Sequence, residues 1–96
     1  FTQSGFTPLM ISKFRPEMPI FAFTPNDRIF RRMALYWGVV PNRVRRIEST
    51  DRLIVAIERA LLKNRAIRKG DAVIFLSSAP IFRRDTTNLM KLHRVR

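Results

Sequence analysis

Two short, uninterrupted apolar runs constrain this chain more than any other feature. They are Pro19-Ile20-Phe21-Ala22-Phe23 and Ala72-Val73-Ile74-Phe75-Leu76, each set between helix-breaking residues and followed or preceded by helical patterns. Runs this short without polar alternation fit strands buried on both faces, as in a parallel sheet. Thr7-Pro8 opens a first helix, with Thr7 as cap and Pro8 at the first position, and Arg15-Pro16 closes it. Thr24-Pro25-Asn26-Asp27 starts a second, with Thr24 as cap, in which Ile29, Met33 and Trp37 recur at spacing four up to Gly38. Val39-Val40-Pro41 begins another strand, with Pro41 marking an edge or a bend. Ser49-Thr50-Asp51 caps a third helix whose Leu53, Ile54, Ile57, Ala60 and Leu61 form one apolar face. Lys69-Gly70-Asp71 is a turn, and Asn88 to Val95 alternates as a last strand. With Phe1-Thr2 as the end of a strand, the order is (β)αβαβαβ plus a final strand reached without a crossover helix. That order predicts an α/β fold, mostly parallel, with the last strand antiparallel.

Ninety-six residues suit one small domain, and 46% hydrophobic residues suffice for a real core. No cysteine is present, which excludes disulfides, cysteine-ligated zinc and thiol nucleophiles from this segment and fits a reducing compartment. No apolar stretch approaches the ~20 residues of a membrane span. The dominant compositional fact is charge: 19 Lys and Arg against 7 Asp and Glu, a net +12, with Arg far outnumbering Lys. Such an excess attracts polyanions, and guanidinium groups favour planar phosphate or carboxylate partners.

Catalysis finds no support in the residues. His93 is the only histidine and reads as an ordinary strand residue. The acids are scattered and several stand at helix starts or turns (Asp27, Asp51, Asp71), where they complement dipoles. No metal-ligand spacing and no nucleotide-hydrolase phosphate loop appears. Anion binding has a candidate in Thr2-Gln3-Ser4-Gly5-Phe6-Thr7, where three hydroxyls and a glycine lie between a strand end and a helix start. A helix N-terminus offers unsatisfied N–H donors and partial positive charge. Ligands of open α/β sheets favour the carboxyl ends of strands, and the loop from Ser77 to Thr87, with Arg83 and Arg84, leaves another such end. The same turn is equally a capped helix start and nothing more. For nucleic acid the charge is suitable, but Phe21, Phe23, Phe30, Trp37 and Phe75 read as core and no recognition signature appears.

Five segments together resemble the C-terminal domain of pyruvate kinases. They are Phe1-Thr2-Gln3-Ser4-Gly5; Ile11-Ser12-Lys13-Phe14-Arg15-Pro16; Ala22-Phe23-Thr24-Pro25-Asn26; Ala34-Leu35-Tyr36-Trp37-Gly38-Val39-Val40-Pro41; and Lys69-Gly70-Asp71 with Thr86-Thr87-Asn88 through Lys91-Leu92-His93-Arg94-Val95. The resemblance covers nearly the whole chain. It implies a three-layer α/β/α sandwich with a five-stranded mixed sheet, here lacking the first helix and most of the first strand. It also implies a parent enzyme that transfers phosphate from phosphoenolpyruvate to ADP in cytoplasmic glycolysis, using Mg²⁺ and K⁺ in a separate catalytic barrel. By that likeness Thr2, Gln3, Ser4 and Thr7 match the loop cradling an effector phosphate, with Gly5 as its turn. Arg83 and Arg84 fall in the effector loop, and Asn88 to Val95 in a subunit-contact strand of a tetramer. The implied effector is a sugar phosphate or nucleoside monophosphate, and the segment itself carries no catalytic residue, cofactor or metal.

The chain departs from the family pattern in three places. Phe6 and Gln3 stand where relatives often carry a basic residue. The segment Ala79-Pro80-Ile81-Phe82-Arg83-Arg84-Asp85 lacks the usual glycines. The positive excess is also larger than the family leads one to expect. A regulatory domain of a pyruvate kinase is therefore the first expectation, and an interaction module of the same fold that binds no metabolite is the second.

Overall fold

The computed structural model describes residues 1–47, 49–77 and 89–96. These form two units, Phe1–Arg46 and Ile47–Arg96. In the first, helix α1 (Phe6–Lys13) precedes strand β1 (Ile20–Thr24), helix α2 (Asp27–Met33) and strand β2 (Val39–Arg43). β1 and β2 pair in parallel from Ile20↔Val39 to Thr24↔Arg43, so α2 is the crossover that a parallel pair requires. Pro41 lies within the ladder opposite Ala22. The core of this unit is Ala22, Ile29, Met33 and Val39, with Ile20 and Tyr36 packed against it.

The second unit holds helix α3 (Thr50–Lys63) and strands β3 (Ala72–Ser77) and β4 (Leu89–Arg94). β3 and β4 are antiparallel, from Ala72↔Arg94 to Ser77↔Leu89, as expected of a last strand with no crossover helix. Leu53, Ile54, Ile57 and Leu61 of α3 are buried, as are Ile67, Phe75 and Val95. Val95 extends the ribbon beyond β4 by donating to Asp71 O and accepting from Gly70 N. His93 Nε2 is hydrogen bonded to Glu58 Oε2, tying β4 to α3.

Several expectations change. Among the described residues there are four strands, not five: Thr2 N donates to Phe23 O at 2.9 Å, but Phe1-Thr2 is not a strand. α1 is capped by Gly5 rather than Thr7, and α2 by Asn26 rather than Thr24. Asn26 Oδ1 accepts from Ile29 N, while Thr24 Oγ1 instead accepts from Asn26 N and holds the preceding turn. α2 stops at Met33 because the next bonds are of the tighter i→i+3 kind, Leu35 N to Arg32 O and Tyr36 N to Met33 O. That change of winding removes Trp37 from the core face and leaves it 48% exposed. Phe23 and Phe75 are buried as expected, Phe21 and Phe30 only partly. β3 is not covered on both faces, since Ile74 is 64% exposed. No described helix is long and apolar enough to cross a membrane.

Candidate anion site at the start of the first helix

Residues 2–5 form a turn that leads into α1, whose first residues are Phe6 and Thr7. Gly5 makes it possible: its φ of 79° lies in the left-handed region, which β-carbons disfavour. Thr2, 7% exposed, accepts a hydrogen bond at Oγ1 from Gly5 N at 2.8 Å. Ser4 Oγ accepts from Phe6 N at 3.3 Å. Both hydroxyls thus serve the turn as acceptors and keep their O–H for donation. Leu9 N donates to Gly5 O and closes the first helical turn. Gln3, Ser4 and Thr7 are half-buried. The turn's own hydrogen bonds thus engage Thr2, Ser4 and Gly5, with Gln3 between them in the chain and Thr7 in the first turn of α1. Arg83 and Arg84 lie outside the described residues.

Close packing fixes this turn against α2. A β-carbon on Gly5 would stand 3.3 Å from Ile29 Cγ2 and 3.6 Å from both Met33 Cγ and the Tyr36 hydroxyl. Sequence reasoning did not single out Tyr36 as a site residue, and its hydroxyl adds a polar group beside the turn. The only signal was its place in the Ala34-to-Pro41 segment. Among the described residues there is no group of three or more His, Cys, Asp or Glu that could hold a metal ion.

The far end of α1 is held as firmly. Buried Ser12 donates from Oγ to Trp37 O at 2.5 Å. Arg15, in the left-handed region at φ 52°, stacks its guanidinium 4.7 Å from the Trp37 ring centroid. Two of the segments singled out in the sequence, Ile11 to Pro16 and Ala34 to Pro41, are thus joined in space by a hydrogen bond and a cation–π contact.

The family model described as "Pyruvate kinase, alpha/beta domain" matches residues 1–93. The chain belongs to the pyruvate kinase family. The pyruvate kinase of Geobacillus stearothermophilus is 37% identical over 92 residues, which is 96% of this chain and 16% of that protein. That of Clostridium acetobutylicum is 36% identical over 94 residues, 98% of this chain and 20% of the relative. The crystal structure of a pyruvate kinase from Cryptosporidium parvum superposes with a TM-score of 0.86 at 26% identity, covering 99% of this chain and 18% of that one. The chain thus spans about a sixth to a fifth of the length of the pyruvate kinases it matches.

Proposed function

We propose that these residues are the regulatory domain of a pyruvate kinase, binding an anionic effector at the turn from Thr2 to Thr7 and contributing to subunit assembly. The parent protein would transfer phosphate from phosphoenolpyruvate to ADP in the cytoplasm, with Mg²⁺ and K⁺ held in its catalytic barrel. The three-layer α/β/α arrangement expected from the resemblance is part of the same proposal. The observation that carries it is the family match over residues 1–93, within which the glycine turn sets two hydroxyl groups at the N-terminus of α1. A phosphate group placed there would meet hydroxyl donors and the positive end of the helix dipole. Arg83 and Arg84 supply the countercharge in this reading, a sugar phosphate or nucleoside monophosphate being the ligand. Binding would act at a distance by population shift: the anion favours one arrangement of the turn and its loop, and the coupling to the catalytic site is the 1–3 kcal/mol typical of allostery.

Calorimetric titration of the full-length protein with fructose 1,6-bisphosphate, glucose 6-phosphate, ribose 5-phosphate and AMP tests this. At least one is expected to bind below millimolar. The Ser4→Ala/Thr7→Ala variant should weaken that ligand by about tenfold per lost charge-assisted bond. Failure of all four to bind below millimolar removes the effector reading and leaves the domain an assembly module.

A further inference from the structure

We propose that the solvent-facing side of α3, with the turn that follows it, is a binding surface for the phosphodiester backbone of nucleic acid. This goes beyond the effector site and does not depend on it. Arg52, Arg59 and Lys63 stand at i, i+7 and i+11 on a helix of 3.6 residues per turn, so they share one stripe about 16 Å long. The stripe lies opposite the buried Leu53, Ile57 and Leu61. Arg65, Arg68 and Lys69 follow in the turn past the helix end, and all six are exposed. The carboxylates of α3 beyond its first turn and of the turn after it are Glu58, hydrogen bonded to His93, and Asp71, whose Oδ2 accepts from Arg68 N at 2.8 Å. Neither of the two ion pairs among the described residues involves any of the six cations.

Shape and charge decide the partner. A row of cations about 16 Å long exceeds what one small phosphate ester spans, and calls for a polymer with charge repeated along its axis. Duplex DNA carries one negative charge per about 1.7 Å, and a single strand half as many. Four of the six cations are arginines, whose planar fork fits phosphate oxygens two at a time. The apolar side of α3 is buried, and Val55 is the one large apolar side chain of the helix left about half exposed, so little is available to insert into a lipid surface. The chain lacks a base-reading signature, but backbone contact needs none.

The test is fluorescence anisotropy of the full-length protein with labelled 20-nucleotide poly(U) RNA and a labelled 20-base-pair DNA duplex, from 50 to 200 mM KCl. If all six cations engage, log K against log[salt] should fall with a slope of about −4 for the single strand. The triple variant Arg52→Gln/Arg59→Gln/Lys63→Gln should make that slope shallower by about 2, and Lys63→Gln alone by about 0.7. The equal charge loss Arg28→Gln/Arg31→Gln/Arg32→Gln on α2 should leave it unchanged. Circular dichroism confirms that each variant is folded, and the single variant stands in should the triple one fail. A stronger duplex than single-strand response would name DNA as the better source of the same backbone. The proposal is overturned by no binding at 50 mM salt, by equal slope changes from the α2 and α3 variants, by polyglutamate competing at equal charge concentration, or by capture on phosphatidylserine vesicles without oligonucleotide binding.

Discussion

Gly5 and Arg65 share a left-handed backbone but not the same fitness for it. Gly5 at φ 79° has no β-carbon to clash, and one placed there would press on Ile29 at 3.3 Å. Arg65 at φ 58° occupies the residue just beyond the α3 cap Asn64. There Arg65 N donates to Leu62 O and Ala66 N to Leu61 O, the paired bonds of a Schellman motif that glycine usually supplies. The two positions should respond with opposite signs. Gly5→Ala is expected to lose about 1–2 kcal/mol through backbone strain and crowding. Arg65→Gly should gain about 1 kcal/mol by removing the β-carbon from a left-handed site. Urea unfolding monitored by circular dichroism checks both; a destabilised Arg65→Gly would mean that its side chain makes contacts worth more than the strain. Neither conformation was plain in the residues. Thr7-Pro8 is a stronger cap signal than Ser-Gly, and arginine is a poor advertisement for a left-handed turn.

Helix starts were legible as short segments rather than as single residues. Of the Ser49-Thr50-Asp51 cap read for α3, Ser49 is the residue that caps it, accepting from Arg52 N at 3.4 Å. The α2 start was read with Thr24 as cap, and the path of the chain puts Asn26 there instead. Trp37 was misplaced for a different reason: spacing four presumes a continuous α-helix, and the bonds after Met33 tighten to i→i+3. The link from α1 to the Trp37 turn could not be read at all, since Ser12 and Trp37 lie 25 residues apart. That link makes a prediction about the element. Ser12→Ala leaves the Trp37 carbonyl without this partner in a part-buried setting, which costs about 1 kcal/mol. The loss should concentrate in α1, seen as faster amide hydrogen exchange there than in α3. Uniform change across both units would show that the bond does not hold the helix locally.

At the scale of the molecule, the sequence conveyed which residues are apolar but not which of them a single copy leaves uncovered. Ile74, Met90 and Leu92 are 64%, 74% and 75% exposed. Ile74 pairs with Leu92 across the ribbon, and Met90 lies two residues along β4, so the three share one face. The opposite face carries the buried Phe75 and Ser77. An alternating strand with apolar residues on both faces reads as a core strand in sequence, whether its second cover is its own chain or another. The assembly reading proposed above assigns that cover to a second copy. Burying a leucine contributes about 1.5–3 kcal/mol, and a two-fold interface counts it twice. Leu92→Glu removes both contributions and faces two carboxylates toward each other. Its subunit dissociation constant should therefore rise by at least about a hundredfold, since each 1.4 kcal/mol is a factor of ten. Sedimentation equilibrium on the full-length protein measures this directly. An exposed apolar control on the other unit, Phe14→Glu, should leave the assembly intact because it lies outside the ribbon. Unchanged association of Leu92→Glu, or equal dissociation of both variants, would take the β3–β4 face out of the assembly.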